Sequence, residues 1–257
     1  MTHSNRRALK RLRRVLTGGR PARGPRQLAL RQHMPRGWSQ DVDPVIGLAA
    51  GDEPVRLTPA DGHTLALVPP GMGATTLLRT LGAQLARHGV HVDLFDTVGE
   101  HRWATGLPHL TRYDDPEEMH HQLYHLAHAA QSSQADRRDR RHAVLIEERA
   151  LAEMDAFHHT PWPGARGMDA LITLLAHGRP HGFQVVLACP HVPPSLTPQA
   201  SLLVTTQLLG EPPSHRDLRP GRMRLVSPRR VTAVQVLHLS EPEATHLALT
   251  GAPGADG

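Results

Sequence analysis

A glycine-rich turn separates an apolar segment from a leucine-rich segment, and its residue types suit the binding of phosphate. Thr64 to Val68 is typical of a short buried strand, Pro69 to Gly73 of a turn, and Thr75 to His88 of an amphipathic helix. Backbone N–H groups of such a turn, with the positive end of the helix dipole, attract phosphate oxygens. A purely structural interpretation also stands, because prolines and glycines commonly connect a strand to a helix.

The turn departs from the phosphate-binding pattern G-x-x-x-x-G-K-[ST] at two positions. The pattern would begin at Val68 in place of its first glycine, and its second glycine would be Gly73. Its lysine would fall on Ala74 and its hydroxyl residue on Thr75. The only lysine of the 257-residue chain is Lys10. Any mechanism that needs a lysine in the folded body is therefore excluded.

Two adjacent acids follow an apolar segment further along the chain. Ala143 to Ile146 is typical of a buried strand and leads directly into Glu147 and Glu148. At the end of a strand beside bound phosphates, a first acid can hold Mg²⁺ and a second can polarise the attacking water. The alternative is structural, because glutamates at the start of a helix complement its dipole. The residues alone favour the structural interpretation.

Basic residues are concentrated at the N-terminus. Residues 1–40 contain 11 Lys and Arg and no Asp or Glu, whereas the remainder has 18 basic against 24 acidic residues. An arm of +11 on a body of −6 attracts nucleic acid or an anionic membrane. The arm equally suits a solubilising leader. Its candidate nucleic-acid contacts are Arg6, Arg7, Lys10, Arg11, Arg13 and Arg14.

The single cysteine, Cys189, excludes an intrachain disulfide and fits a reducing compartment. No apolar run reaches the length of a membrane span, and no signal-peptide core follows the basic start. We therefore expect a cytoplasmic protein, associated with a membrane only through a partner or its arm.

Strand and helix patterns alternate along the body. Further strands are predicted at 90–95, 184–188, 202–206 and 231–239, and further helices at 116–136 and 168–177. This alternation predicts an α/β fold with a mainly parallel sheet flanked by helices. The expected organisation is a flexible basic arm at 1–40, one domain at 41–240 and a loose tail at 241–257.

The order of these motifs resembles the motor domain of the FtsK/SpoIIIE DNA translocases, in the HerA–FtsK group of P-loop ATPases. The resemblance runs from about Val45 to Leu239. It rests on an ordered series of short matches, none specific alone: His63 to Thr75, Asp96, Leu107 to Leu110, Asp115 to Glu118, Glu147 and Glu148, Gly178 to Gly182, and Gly221 to Met223.

The resemblance implies a RecA-like P-loop domain that uses ATP and Mg²⁺, associates with DNA, and works as a hexameric ring or beside a partner motor. It implies that Glu148 activates water and that Thr75 and Glu147 hold Mg²⁺. Phosphate would be held by the turn: Gly71, Met72, Gly73, Ala74, Thr75 and Thr76. Arg179 would act on the site of a neighbouring subunit, although it equally suits a helix C-terminus.

The departures from the family pattern leave two functions open. Ala74 replaces the lysine that normally neutralises charge on the β- and γ-phosphates, and Ala188 to Pro193 stand at the family's A-T-Q-R-P segment without its glutamine. One hypothesis is a translocase-type protein with weak or absent ATP hydrolysis. The other is a non-catalytic adaptor or regulator of a DNA-transfer machine. An arginine such as Arg79 that reached the turn would favour nucleotide binding.

Histidines on one predicted helix form a further candidate site. His121, His125 and His128 are spaced to share a helical face, which could hold a metal ion. The chain has 20 histidines, so such clusters arise by chance, and we do not predict a metal site there.

Overall fold

A β-sheet that is parallel at its centre organises the computed structural model, which describes residues 28–29, 42–132, 141–156, 167–194, 196, 198–211 and 220–250. The strands in this part of the chain are β1 (Leu28–Ala29), β2 (Val45–Leu48), β3 (Pro54–Arg56), β4 (His63–Leu67), β5 (His91–Phe95), β6 (Leu110–Tyr113), β7 (His142–Glu147), β8 (Phe183–Cys189), β9 (Val204–Gly210), β10 (Arg222–Ser227) and β11 (Arg230–His238). The helices are α1 (Ala74–Arg87), α2 (Pro116–Gln131), α3 (Glu148–Ala156), α4 (Gly167–His177), α5 (Pro198–Leu203) and α6 (Glu241–Leu249).

The strands lie in the order β3-β2-β11-β10-β9-β4-β8-β7-β5-β6. From β9 to β6 every neighbouring pair is parallel, whereas β3, β2, β11 and β10 pair antiparallel. Parallel strands need crossover connections, and α1 makes one of them between β4 and β5, which are separated in the sheet by β8 and β7. The mainly parallel α/β fold predicted from the sequence is confirmed.

Two hydrophobic cores cover the two faces of the sheet. On one face α1 buries Leu77, Leu78 and Leu81, and α6 packs beside it. On the other face α2, α3 and α4 supply buried leucines and methionines, among them Met119 and Leu171. The central strands are buried on both sides, which explains why their sequences are almost continuously apolar.

The boundaries of the predicted domain need correction at both ends. Within the predicted flexible arm, Leu28 and Ala29 pair in parallel with β11. At the other end the predicted loose tail is wrong over 241–249, because these residues form α6. The predicted strand at 202–206 begins only at Val204, after α5. Arg6 to Arg14 and residues 251–257 lie outside the described residues.

Local sequence explains why α6 forms. Ser240 is its N-cap, and both the backbone N–H and the hydroxyl of Ser240 donate to the Glu243 carboxylate, at 2.9 and 2.7 Å. This capping box satisfies groups that would otherwise lack partners at the helix start. Arg79 of α1 donates to the Leu239 carbonyl at 3.3 Å and to Glu241 at 3.2 Å. The helix is therefore anchored to the body.

We expect Leu247→Ala to lower the free energy of unfolding by about 2–4 kcal/mol, because it leaves a cavity where Leu247 is 4% exposed. The matched control is Leu249→Ala on the same helix, whose side chain is 57% exposed, and its effect should stay within about 0.5 kcal/mol. Urea unfolding measures both. Equal, small effects would contradict the packed helix.

Candidate functional site

The chemically active residues predicted from the sequence gather at one edge of the sheet. The parallel strands β4, β5, β7 and β8 end at this edge, which we call the carboxyl edge. Beyond their ends lie the glycine-rich turn, Asp96, Glu147 and Pro190. In open α/β sheets ligands bind at this edge, because the loops that follow parallel strands meet there.

The glycine-rich turn is held by main-chain contacts. The N–H of Val68 donates to the Cys189 carbonyl at 2.9 Å, and the N–H of Gly221 donates to the Met72 carbonyl at 3.1 Å. Gly73 has φ 105° and is the N-cap of α1, so a non-glycine residue would be strained there. The structure thus brings together the segments at 68–75 and 221–223 that the family resemblance singled out separately.

The apolar residues of the turn face inward, and one side of the turn is open. Val68 and Met72 belong to the core beneath α1, with Met72 8% exposed. A Cβ atom added at Gly71 would meet no atom within 4 Å. The turn therefore keeps free space on its outer side.

Arg79 does not take the place of the missing lysine. Its guanidinium donates to Leu239 and Glu241, at the C-terminal end of the domain. Ala74, at the lysine position, begins α1 with a methyl side chain. Arg79 is therefore not the arginine at the turn that would favour nucleotide binding.

The hydroxyl of Thr75 is bound by a carboxylate that the sequence analysis missed. Thr75 Oγ1 donates to Glu100 Oε2. Glu100 lies on the loop after β5, which Asp96 organises by accepting N–H bonds from Gly99, Glu100 and His101 at 2.8–3.1 Å. The only sequence signal for Glu100 is its place just after a strand, in Asp-Thr-Val-Gly-Glu.

Asp96 itself is fully buried and has a cationic partner. Arg112 Nε donates to Asp96 Oδ2 at 2.9 Å, and Arg112 also bonds Asp114 at 2.9 Å. Burial raises the pKa of Asp96, but hydrogen bonds from Arg112 and from the loop N–H groups outweigh burial and lower it. Asp96 therefore stays ionised and fixes the loop that carries Glu100.

Glu147 and Glu148 stand at the end of β7, as predicted, and the structure gives them different surroundings. Glu147 ends the strand and is half-buried, with Oε2 buried and without a hydrogen-bond partner. Burial raises the pKa of Glu147 to about 7, with further contributions from Asp96, Glu100 and Glu148. Glu148 is exposed and begins α3. The carboxyl edge is thus a cluster of four carboxylates.

Arg179 lies apart from this cluster. It follows α4 and precedes β8, at the opposite edge of the sheet, which we call the amino edge. Its Nη2 donates to the Ala60 carbonyl at 3.2 Å, just before β4. The structure therefore does not bring Arg179 together with the turn or with Glu148 of the same chain.

The fold and this site define the class of the domain. A mainly parallel sheet with a glycine-rich turn after one strand and two acids after another is the arrangement of P-loop ATPase-like domains. The roles of the carboxyl-edge residues stay those that the resemblance to the FtsK/SpoIIIE motor domain predicts. No protein-family model matches the sequence, and no curated protein matches it.

Solved structures of transfer and secretion machines share the fold. The conjugation coupling protein TcpA of pCW3, solved as a monomer with ATPγS, has a TM-score of 0.67 at 15% identity, over 88% of this chain and 74% of that one. The cytoplasmic domain of the type VII secretion ATPase EccC of Thermomonospora curvata has a TM-score of 0.63 at 15% identity, over 83% of this chain. VirB4 of Thermoanaerobacter pseudethanolicus has a TM-score of 0.54 at 10% identity, over 79% of this chain and 98% of that one.

The chain spans 28% of the EccC chain and 44% of the EccC structure that holds ATPases 2 and 3. These similarities, all at 15% identity or below, show that the chain shares the fold of these proteins, as the resemblance predicted. Among the described residues, no helix has both the length and the apolar character to span a membrane.

A pH dependence follows from His101, which is buried beside Asp96. Burial lowers the pKa of His101 to about 4, and its Nδ1 accepts the Trp103 indole N–H at 3.2 Å. Below its ordinary pKa of 6.5 the unfolded chain binds a proton that the folded chain excludes. Stability attributable to His101 is therefore present above pH 6.5 and is lost as the pH falls toward 4.

We expect His101→Gln to reduce the loss of unfolding free energy between pH 7 and pH 4.5 by about 2 kcal/mol relative to wild type. Urea unfolding at the two pH values measures the difference. Parallel pH profiles for the two proteins would show that His101 is not held neutral.

Proposed function

We propose that this chain is an FtsK/SpoIIIE-like P-loop domain that serves as a non-hydrolysing adaptor or regulator of a DNA-transfer machine. The observation that carries the proposal is the contact between the Thr75 hydroxyl and Glu100. In hydrolysing P-loop proteins this hydroxyl binds the Mg²⁺ that accompanies the phosphates. Here a carboxylate holds it.

Electrostatics supports the same conclusion. Two unit charges 4 Å apart interact by about 4 kcal/mol at the effective dielectric constant of a protein surface. Glu100 would face the phosphates of a bound nucleotide with the same sign of charge, and Glu147, whose pKa is raised to about 7, would add to the repulsion whenever it is ionised. Ala74 supplies no compensating cation, and Arg79 is engaged by Glu241.

The second function is an ATP-driven translocase, and two observations favour it. The outer side of Gly71 is open, and the two acids stand at the end of β7. In this function the amides of residues 71–76 hold phosphate, Thr75 and Glu147 hold Mg²⁺, and Glu148 activates water. For this function, Glu100 would have to give up its hydrogen bond to the Thr75 hydroxyl, or both residues would have to bind the same Mg²⁺.

ATP turnover separates these functions. We expect the wild-type chain to hydrolyse ATP no faster than Glu148→Gln, with or without DNA, because no cation stabilises the charge that develops on the transferred phosphoryl group. Phosphate release in the presence of Mg²⁺ is the measurement. Turnover that Glu148→Gln abolishes would establish the translocase-type enzyme and end the adaptor proposal.

A gain-of-function variant tests the cause. The double variant Ala74→Lys, Glu100→Gln restores the cation and removes one carboxylate, so we expect it to bind a fluorescent ATP analogue with Mg²⁺ at least about tenfold more tightly than wild type, a difference of about 1.4 kcal/mol. Ala176→Lys adds a lysine, one of the two charge units by which the double variant differs from wild type, at an exposed position of α4 near the amino edge, and should leave the affinity unchanged.

If Ala176→Lys strengthens binding as much as the double variant, the effect is one of overall charge. If neither variant strengthens binding, the local charge of the turn does not limit nucleotide affinity. Either result would contradict the electrostatic argument.

DNA association is proposed for the basic arm and not for the folded body. Removing residues 1–40, or replacing Arg6, Arg7, Lys10, Arg11, Arg13 and Arg14 by Gln, should weaken duplex binding. The dependence of log K on log salt should become shallower by about 0.9 for each phosphate contact removed. Fluorescence anisotropy between 50 and roughly 200 mM salt measures it. Replacing Arg137, Arg138 and Arg140 by Gln is the control, and an unchanged slope after arm deletion would end the proposal.

Assembly follows from the position of Arg179. From the amino edge this arginine can meet a phosphate turn only in another molecule, which supports action within a hexameric ring or beside a partner motor. In such an assembly the adaptor would supply Arg179 to a hydrolysing neighbour while its own turn stays inactive. We also propose a cytoplasmic location, with membrane association only through a partner, because the similar EccC and EssC structures are cytoplasmic domains.

A further inference from the structure

A second cluster of ligating side chains lies toward the amino edge, away from the glycine-rich turn. His91 begins β5, Asp93 lies two residues further along, and His142 begins the neighbouring strand β7. His91 and His142 are direct partners in the strand register. Because side chains two residues apart on a strand share a face, all three point to the side of the sheet covered by α2.

The three side chains converge on Asp93. His142 Nε2 lies 2.8 Å from Asp93 Oδ2, and His91 Nε2 lies 3.2 Å from Asp93 Oδ1. One ligating atom from each residue lies within 4.8 Å of the other two. Among the described residues this is the group that could hold a metal ion, whereas His121, His125 and His128 form no such group.

Asp93 is 0% exposed, which makes its charge costly without a cation nearby. Gln122 of α2 donates to Oδ2 at 2.8 Å, whereas Oδ1 makes no well-directed hydrogen bond. Oδ1 thus has His91 Nε2 at ion-pair distance and lacks a hydrogen bond of good geometry, so this oxygen is the one that can ligate a metal ion.

We propose that His91, Asp93 and His142 form a Zn²⁺ site that joins β5 to β7. Two imidazole nitrogens and one carboxylate oxygen form a donor set that zinc favours, whereas Mg²⁺ and Ca²⁺ prefer oxygen ligands alone. Three protein ligands leave a fourth position, and the His91 side chain is 46% exposed, so water can reach it. Gln122, which donates to Asp93 Oδ2, would then hold the ligating carboxylate in its orientation.

The distances require only small movements. Ligands at about 2.0–2.1 Å from a tetrahedral zinc are about 3.3 Å from one another. The separations of 2.8 and 3.2 Å end on different oxygens of Asp93, so one ring must shift toward the oxygen that ligates. No two of the ligating atoms are more than 4.8 Å apart. The exposed ring of His91 has room to adjust its separation from His142.

The test is titration of the full chain, freed of metal by a chelator, with Zn²⁺ by calorimetry and with Co²⁺ by visible absorption. We expect one tight Zn²⁺ per chain and the intense visible bands of four-coordinate Co²⁺. His91→Gln should weaken the tight site at least about tenfold and remove the Co²⁺ bands, because one of three ligands is lost. His142→Gln, tested in parallel, should do the same.

The matched control is the double variant His121→Gln, His125→Gln, which removes two exposed histidines one helical turn apart on α2. It should retain the tight Zn²⁺ and the Co²⁺ bands. The proposal is overturned if wild type and His91→Gln bind alike, if the tight site disappears in the α2 control instead, or if wild type binds no Zn²⁺ tightly. These measurements involve neither nucleotide nor DNA, so they are independent of the proposed function.

Discussion

The buried carboxylate of Asp96 is the interaction on which the carboxyl edge depends. It accepts hydrogen bonds from three N–H groups of the following loop and from one guanidinium N–H. A single side chain therefore supplies the hydrogen-bond acceptors that these loop N–H groups need. The loop it closes carries Glu100 to Thr75 and buries His101 and Trp103 against the α1 face. If Asp96 were protonated, the hydrogen bonds that position the Glu100 loop would weaken, and the negative charge close to Glu147 would decrease.

These carboxylates give the carboxyl edge a different charge from the one expected of a phosphate-binding turn. A glycine-rich turn at the start of a helix favours anions, because its N–H groups and dipole are positive. Here the loops after β5 and β7 bring carboxylates to the same place. The turn and the acids therefore act in opposite directions on a bound phosphate, and this opposition is the basis of the adaptor proposal.

The sequence predicted the architecture well because the central strands and α1 carry strong, unbroken patterns. Gly73, Thr75, Glu147 and Glu148 could also be placed, since each follows a recognisable strand. Glu100 could not, because its role depends on how Asp96 folds a short loop back toward α1. The site at His91, Asp93 and His142 was missed for a similar reason: it joins neighbouring strands that lie about 50 residues apart in the sequence.

The C-terminal helix was misjudged from the sequence for a more local reason. Its capping residues, Ser240 and Glu243, are present in the sequence, but α6 is short and has only a few buried positions. Its place is decided by packing on α1, and by Arg79, which no pattern within 241–249 reveals. Because its guanidinium makes this contact, Arg79 does not lie at the turn as a phosphate ligand.

Arg79, together with the packing of α6 on α1, also links the C-terminal helix mechanically to the helix that follows the glycine-rich turn. The guanidinium joins the second turn of α1 to the backbone at Leu239 and to the first residue of α6. A pull on the C-terminal helix is therefore transmitted to α1, the helix that begins at the glycine-rich turn, as well as to β11. A force applied to α6 would therefore reach the glycine-rich turn through α1 alone, whereas a force applied to β5 or β6 would reach it only through the intervening strands of the sheet.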